Sequence, residues 1–317
     1  MIGVYGAGAF GTALAICLAK AGNPVRLYGR DPKQIAVLKR KKINTTYLPD
    51  IRFPANLTPT SDLGDLREAD YILMATPAQT TRAVLQNLQP TCPIIMCGKG
   101  LEAGTQNLQS EIALQVLGDI DVGVLSGPSF AIDIAMGRPT ALTIAAKGPL
   151  LERLQTRLAT PNLRLYGNTD LVGVQLGGAL KNVYAIACGL VEGAGYGDSA
   201  KAALMTRCFA EMARFATRQG AQTETLFGLS GFGDLVLTCS SLKSRNFGFG
   251  ITAAKKGNFL PSATVEGIAT THALAALGEK LKSDLPICYA LADFLKGKTG
   301  IQGIKDDLLS RPLTQEI

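Results

Sequence analysis

Hydrophobic residues in the first half of the chain fall in short runs, separated by longer stretches of helical period. Seven runs have the length and apolar character of strands: Ile2–Tyr5, Val25–Tyr28, Tyr71–Ala75, Ile94–Cys97, Val122–Leu125, Leu142–Ala145 and Leu163–Tyr166. Several of them are apolar on both faces, which is typical of a parallel sheet covered by helices on each side. The segments between them are long enough for crossover helices. The pattern therefore predicts a doubly wound, Rossmann-type α/β fold.

The pattern changes at about Thr169. Beyond this point β-branched runs become rare, and Ala, Leu and Gly recur at helical spacing through Ala292. We therefore expect two domains: a doubly wound N-terminal domain over residues 1–170 and a mostly α-helical C-terminal domain over residues 171–317.

Composition bears on where in the cell the protein is expected. No uninterrupted apolar run approaches the roughly 20 residues that cross a bilayer, so we expect no integral membrane span. Met1 leads almost directly into a strand-like run, without the basic segment and cleavage site of an export signal. The seven cysteines form no CxxC pair and have no histidine cluster beside them, which argues against disulfides and against a metal site. These features favour a cytoplasmic protein.

The charge pattern favours a small anionic ligand. The chain carries 32 Lys and Arg against 25 Asp and Glu, for a net charge of +7. Nucleic acid is not expected, because no basic run is longer than Lys39–Lys42 and aromatic residues make up only 6%. His272 is the only histidine and we interpret it as structural, so a general base must come from Lys, Asp, Glu, Tyr or Cys.

A glycine motif follows the first predicted strand and opens a helix. Its three glycines are Gly6, Gly8 and Gly11. In this context the first makes a tight turn, the second lets backbone approach a pyrophosphate, and the third lets helix and strand pack closely. The helix N-terminus then faces the phosphates. The motif predicts dinucleotide binding, with a purely structural turn as the alternative.

Cofactor choice depends on the end of the second strand, where Arg30 and Asp31 lie. An acidic residue at this position hydrogen-bonds a ribose 2′-OH, whereas arginine can pair with a 2′-phosphate. Arg30 comes first, so we favour NADPH over NADH. In the alternative interpretation Asp31 caps the next helix, Arg30 is merely solvated, and NADH serves as well.

Four further stretches carry candidate chemistry: CGKGLE at 97–102, LSGPSFA at 125–131, LGGALKNV at 176–183, and GFGDL at 231–235 followed by Ser244-Arg245-Asn246. The first two follow strands at the sheet edge where open α/β sheets bind ligands, so Lys99 and Ser129 should point into one cleft. Lys181 lies in an apolar helical stretch, where an unpaired ammonium would be costly.

Burial would lower the pKa of Lys181 toward the working pH of a general acid/base, with Asp234 as a candidate to orient the amine. Arg245 and Asn246 suit a phosphate dianion. The alternatives are a Lys181 that extends to solvent, an Asp234 that caps a helix, and an ordinary surface arginine at 245.

With these residues in view, the chain resembles the bacterial type of NAD(P)-dependent glycerol-3-phosphate dehydrogenase. Six separated motifs recur in order: GAGAFGTALA, YGRDP, CGKGLE, LSGPSFA, LGGALKNVYAIACG and GLSGFGDLVLTCSSLKSRNFGFG. The resemblance implies reduction of dihydroxyacetone phosphate to sn-glycerol 3-phosphate for phospholipid synthesis.

The resemblance also implies roles for individual residues. Lys181 would be the catalytic acid/base, and Lys99 would contact both cofactor and substrate. The substrate site would further include Gly127, Ser129, Asp234, Ser244, Arg245 and Asn246. The dinucleotide would contact Ala9, Phe10, Arg30, Ala131, Glu266 and again Arg245. Ala9 stands where the family usually has serine.

Two other functions fit parts of the pattern. A β-hydroxyacid dehydrogenase also pairs a dinucleotide domain with a helical domain and uses a lysine, but the GFGD turn and Arg245-Asn246 argue against it. A non-catalytic NAD(P)H sensor would not need Lys99, Lys181 and Asp234 together. The helical half has apolar faces that suit a homodimer, although a buried helical core produces the same pattern.

Overall fold

The computed structural model describes residues 1–257 and 264–309. Its strands are β1 (Ile2–Tyr5), β2 (Val25–Tyr28), β3 (Ile43–Asn44), β4 (Leu48–Arg52), β5 (Leu57–Thr60), β6 (Tyr71–Met74), β7 (Ile94–Met96), β8 (Val122–Ser126), β9 (Thr140–Ala145) and β10 (Leu163–Asn168). The helices of the first half are α1 (Ala9–Lys20), α2 (Pro32–Lys41), α3 (Thr81–Leu88), α4 (Gln109–Leu117), α5 (Ala131–Met136) and α6 (Leu150–Leu158).

The second half is helical throughout its described part. Its helices are α7 (Leu171–Gly193), α8 (Asp198–Arg218), α9 (Thr223–Phe227), α10 (Asp234–Cys239), α11 (Arg245–Lys256), α12 (Glu266–Lys280), α13 (Pro286–Leu295) and α14 (Ile301–Leu309). Two short 3₁₀ turns lie at Leu63–Leu66 and Ala78–Thr80, and a π-helical turn at Leu229–Gly233 leads into α10.

Eight strands form one sheet in the order β10-β9-β8-β7-β6-β1-β2-β5. The chain winds outward from β1 in both directions, since β1 pairs in parallel with both β2 and β6. The carboxyl ends of β1 and β6 therefore lie side by side at the point where the winding reverses, which is where such sheets bind ligands. The expected fold class, a Rossmann-type domain with a mostly helical C-terminal domain, is confirmed.

All seven predicted strands are present, but the expectation of a parallel sheet is wrong at one place. β9 runs antiparallel to β8. An antiparallel neighbour needs no long crossover, and only the six-residue α5 lies between these strands. The pattern also missed β3, β4 and β5. The sequence of β5, LTPT, contains a proline, which the sheet tolerates because β5 is an edge strand.

Helix α7 forms the axis of the helical half. Asp170 caps its start by accepting the Gly173 N–H at 2.7 Å. It packs against α8, α10, α11 and α12, which explains why its residues from 173 to 190 are buried. Among the described residues, α7 alone has the length and apolar composition to cross a bilayer, yet 89% of its most apolar window is buried inside the protein. Its apolar character is therefore that of a core helix.

Candidate active site

The glycine motif forms an open surface at the end of β1. Gly6 has a φ of +120°, which side chains rarely allow, and a Cβ there would collide with the Ala75 carbonyl beside it. Gly8 caps α1 through its backbone alone, and no atom lies within 4 Å of where its Cβ would be. Ala9 and Phe10 follow as the first two residues of α1, and Gly11 packs on the Gly6 carbonyl. This surface has room for a phosphate group at a helix N-terminus.

The end of β2 presents one cation to solvent. Arg30 is exposed and makes no side-chain hydrogen bond or ion pair with any residue that the structure describes. Asp31 caps α2 by accepting the Lys33 N–H at 2.9 Å, as in one of the two alternatives drawn from the sequence. Because the Asp31 carboxylate caps α2, Arg30 is the charged side chain at this strand end that has no partner among the described residues and is available to a ligand.

One carboxylate joins two lysines between the sheet edge and the helical half. Lys181, on α7, donates to Oδ1 of Asp234 at 2.7 Å, and Lys99, after β7, donates to Oδ2 at 2.6 Å. The Asp234 side chain is 1% exposed, and the lysines are 9% and 14% exposed. A π-helical turn at Leu229–Gly233 immediately precedes Asp234, which is the first residue of α10. Lys181 therefore does not extend to solvent, and Asp234 begins a helix without capping it.

Burial lowers the pKa of Lys181 to about 8, although the Asp234 carboxylate opposes this shift and the Lys99 ammonium adds to it. A lysine with a pKa near 8 exchanges its proton readily near neutral pH. This is the property that a general acid/base requires.

Two side chains that the sequence did not single out complete the cluster. Thr238 accepts a hydrogen bond from Lys181 at 2.8 Å and donates to Asp234 at 3.2 Å. Asn182 donates to the Lys99 carbonyl at 3.0 Å and so ties α7 to the segment after β7. Thr238 lies four residues after Asp234, one helical turn away, and this spacing is the one signal that could have indicated it.

The LSGPSFA motif forms a second wall of the same cleft. The Gly127 carbonyl accepts a hydrogen bond from Lys99 at 3.0 Å. The Ser129 hydroxyl is buried and has no partner within the part of the chain that the structure describes. Ala131 follows as the first residue of α5. A buried hydroxyl two residues after the Gly127 carbonyl, which Lys99 contacts, suits a polar ligand in this cleft.

Ser244, Arg245 and Asn246 lie at the start of α11, and their side chains make different contacts. Ser244 caps the helix by accepting the Phe247 N–H at 3.2 Å. Asn246 is bonded at both ends of its amide, to Asn182 and to the Gly267 N–H, each at 2.9 Å. The Arg245 side chain is exposed at the helix N-terminus. Of these three residues, Arg245 alone makes no side-chain hydrogen bond or ion pair within the part of the chain that the structure describes.

Glu266 connects the two halves. Its Oε1 accepts the Ala78 N–H, in the turn after β6, at 3.2 Å. Burial raises the pKa of Glu266, and the Ala78 N–H and the charge of Arg245 oppose the shift. Glu266 therefore contacts the segment that follows β6, the strand next to β1, which carries the glycine motif at its end.

His272 lies apart from this cluster. It lines an apolar groove of about 600 Å³, together with residues of α12 and of the segment 103–106, and no predicted site residue lines that groove. Burial, and then Lys296, lower the pKa of His272. We keep its interpretation as a structural residue.

Comparison with known proteins agrees with the geometry. A family model described as NAD-dependent glycerol-3-phosphate dehydrogenase N-terminus matches residues 1–151, and the corresponding C-terminus model matches residues 170–305. Relatives named glycerol-3-phosphate dehydrogenase [NAD(P)+] include one from Roseobacter denitrificans, 46% identical over 99% of both chains. Another, from Zymomonas mobilis, is 44% identical over 99% of this chain and 94% of its own.

The fold has a solved counterpart. The crystal structure of glycerol-3-phosphate dehydrogenase from Coxiella burnetii has a TM-score of 0.93 and 33% identity, covering 98% of both chains. The matches span both halves of the chain, including the strand-end motifs and the helix that carries Lys181. The chain belongs to the family of NAD-dependent glycerol-3-phosphate dehydrogenases.

Proposed function

We propose that the protein reduces dihydroxyacetone phosphate to sn-glycerol 3-phosphate, reversibly, with a nicotinamide dinucleotide. The observation that carries the proposal is the buried Asp234 carboxylate held between the ammonium groups of Lys99 and Lys181. In this proposal residues 1–170 bind the dinucleotide, and residues 171–317 supply the catalytic lysine and most of the substrate site.

Lys181 supplies the proton. A nicotinamide dinucleotide held at the glycine motif would supply a hydride to the carbonyl carbon, and the carbonyl oxygen would then gain negative charge. Lys181, as an ammonium, protonates this oxygen and becomes a neutral amine. Asp234 and Thr238 hold the nitrogen through hydrogen bonds at 2.7 and 2.8 Å, so that its remaining proton can face the substrate.

Lys99 stabilises the developing oxyanion. Two ammonium groups share one carboxylate, so the cluster carries a net positive charge in a site with little access to water. A preorganised positive charge is worth more in such a site than in bulk water, because the surrounding dipoles need not reorganise. The Ser129 hydroxyl, which has no partner among the described residues, can donate a further hydrogen bond to the substrate.

Arg245 binds the substrate phosphate. Its guanidinium can pair bidentately with a dianion, and it stands at the N-terminus of the 12-residue α11, where backbone N–H groups favour negative charge. In this proposal Ser244 and Asn246 line the phosphate site, while their observed hydrogen bonds fix the helix end. Binding of the phosphate, which is remote from the reacting carbonyl, helps to hold the carbonyl carbon in place for the reaction.

The dinucleotide contacts would be made by Gly6, Gly8, Ala9, Phe10, Gly11, Arg30, Lys99, Ala131, Arg245 and Glu266. We favour NADPH, because Arg30 is exposed and unpaired within the described chain whereas Asp31 is used as a helix cap. We place the enzyme in the cytoplasm, where its product serves glycerophospholipid synthesis. We further propose a homodimer that forms through the helical half.

A steady-state assay of the oxidation of NADPH by dihydroxyacetone phosphate tests the function. Lys181→Ala should lower kcat by about 10²–10⁴-fold, the usual contribution of a positioned acid/base. Lys147→Ala, which removes an exposed lysine from the segment between β9 and α6, is the control and should leave kcat unchanged. Binding of NADPH without turnover by the wild-type protein would contradict the proposal and favour a sensor.

A further inference from the structure

The segment that carries Lys99 is held by side chains from the turn after β6. We call residues 97–108 the Lys99 loop. Gln79, in the 3₁₀ turn, donates to the Leu101 carbonyl at 2.7 Å and accepts the Ala103 N–H at 2.8 Å. The loop therefore has a fixed register against its neighbour on the sheet edge.

An ion pair at the base of α3 strengthens this connection. Arg82 donates from Nε to Oε1 of Glu102 at 2.8 Å and from a terminal nitrogen to Oε2 at 2.7 Å. The Glu102 side chain is 11% exposed and also accepts from Thr105 at 2.5 Å. Arg82 holds the pKa of the Glu102 carboxyl below its usual range, so the pair is charged at neutral pH. Bidentate, partly buried pairs of this kind define geometry better than exposed pairs do.

The pair links two parts of the candidate site. Arg82 lies two residues after the 3₁₀ turn, whose Ala78 N–H is bound by Glu266. Glu102 lies three residues after Lys99, whose ammonium contacts Asp234. The cofactor-facing turn and the substrate-facing lysine are thus connected by a salt bridge that touches neither ligand site directly.

We propose that Arg82 and Glu102 are positioning residues for the reaction: their ion pair fixes the Lys99 loop against the turn after β6, so that the Lys99 ammonium stays at Asp234. The inference rests on the proposed function. Neither side chain reaches the reacting atoms, and both act through the backbone between residues 99 and 102. Loss of the pair lets the loop shift, and small displacements of a charged group in an active site are costly to the rate.

A double-mutant cycle tests the proposal. Glu102→Gln keeps the shape of the side chain but removes its charge. Alone it should lower kcat by about tenfold, whereas the KM for dihydroxyacetone phosphate, which depends mainly on Arg245, should change less than about threefold. In a Lys99→Ala background the same change should cost less than about twofold, because the lysine that it positions is absent.

The outcomes separate positioning from general stability. Equal losses of kcat from Glu102→Gln in both backgrounds would mean that the pair only stabilises the fold. This result would overturn the inference about positioning but would leave the proposed function standing. An unchanged kcat in Lys99→Ala would instead remove Lys99 from the proposed reaction, and this inference with it. A fully active Glu102→Gln single variant would also overturn it.

Two further variants serve as controls. Asp121→Asn breaks the exposed Arg153–Asp121 pair, at 3.3 Å in the same half of the chain, and should leave kcat within about twofold. If Glu102→Gln folds poorly, the reversed pair Arg82→Glu with Glu102→Arg replaces it. The double variant should recover at least about threefold of the kcat that Glu102→Arg alone loses, and a failure to recover would count against the proposal.

Discussion

The proton balance of one lysine sets the expected pH dependence of the reaction. Burial lowers the pKa of Lys181 to about 8. In the proposed mechanism reduction needs the ammonium, so its kcat should be high below pH 8 and fall as the pH rises through 8. Oxidation of glycerol 3-phosphate needs the neutral amine, so its kcat should rise over the same range. Measurement of kcat from pH 6 to pH 10 in both directions tests this.

A change at Asp234 tests whether Lys181 is the group responsible for this pH dependence. Its carboxylate raises the pKa of Lys181, against the larger effect of burial. Asp234→Asn should therefore move the pH dependence of whatever activity remains in both directions to lower pH. If the pH at which kcat changes were the same in Asp234→Asn as in the wild type, that pH dependence would belong to another group. Lys181 would then lose its role as acid/base.

Arg30 is expected to distinguish the two cofactors. Its exposed guanidinium at the end of β2 can pair with a 2′-phosphate, which NADH lacks. Arg30→Ala should raise the KM for NADPH by about 10–100-fold and leave the KM for NADH within about twofold. Arg40→Ala, at the other end of α2, is the matched control. Equal changes for both cofactors would contradict the 2′-phosphate contact.

The sequence indicated the charged members of the site better than the neutral ones. An unpaired ammonium in the apolar context of Lys181 would be so costly that a partner had to exist, and Asp234 is that partner. No such cost singles out Thr238, because a hydroxyl in a helix can bond to the backbone or to water. The hydrogen bonds of Asn246 could not be predicted either, since they depend on how α11 meets α7 and α12.

At the level of elements, the position of α7, which carries Lys181, depends on a close backbone crossing. α7 and α11 meet at glycines: a Cβ on Gly189 would collide with the Phe247 carbonyl, and a Cβ on Gly250 would collide with the Ile186 carbonyl. The obstructing atoms are backbone, so no side chain can rotate to make room. This contact places Arg245, at the start of α11, relative to Lys181 on α7.

Gly189→Ala should therefore destabilise the protein by about 1–3 kcal/mol, despite the higher helix propensity of alanine, because the added methyl overpacks the crossing. Gly248→Ala on α11 is the matched control, since no atom lies within 4 Å of its added Cβ. That change should be neutral or stabilising by up to about 1 kcal/mol. Urea unfolding of both variants measures the difference, and equal stabilities would rule out a tight crossing.

The sequence predicted buried elements more completely than edge elements. Six of the seven strands that it indicated lie inside the eight-stranded sheet, where burial on both faces selects continuous apolar runs. The seventh, β10, lies at an edge and alternates buried and exposed residues from Leu163 to Tyr166. The missed strands β3, β4 and β5 are short or lie at an edge, and their polar residues and prolines interrupt the apolar runs that indicate a strand. Those of β4 face solvent, whereas Asn44, Pro59 and Thr60 are buried. The antiparallel direction of β9 was not predictable, because its apolar run is the same in either direction.

In the molecule as a whole, buried polar contacts tie the two halves together across the cleft. Glu266 binds the Ala78 N–H, and Asn182 binds the Lys99 carbonyl. Gln175 on α7 accepts the Ser110 N–H at 2.9 Å and donates to its hydroxyl at 2.8 Å, at the start of α4. The cleft therefore has defined walls, and the stability of each half affects the geometry of the site.

A buried carboxyl in the helical half should make global stability depend on pH. Glu211 on α8 accepts the N–H groups of Ile287 and Cys288 at the start of α13, at 2.9 and 3.1 Å, and the Tyr184 hydroxyl at 3.3 Å. Burial raises its pKa from 4.5 to about 7, although these hydrogen bonds oppose the shift. Between these two values the folded protein binds more protons at this site than the unfolded chain does. This contribution to stability is therefore complete below about pH 4.5 and is lost as the pH rises toward 7.

Glu211→Gln removes this titration but keeps a side-chain oxygen that can accept a hydrogen bond from the N–H groups at the start of α13. The free energy of unfolding of the wild type, minus that of Glu211→Gln, should therefore decrease by about 2–3 kcal/mol between pH 5 and pH 8. Urea unfolding at both pH values gives this difference, and subtraction of the variant cancels the other titrating groups. Glu68→Gln, at an exposed carboxylate, should show no such decrease. A difference that stays constant or grows with pH would mean that Glu211 is already ionised at pH 5, stabilised by the N-terminus of α13 more than burial destabilises it.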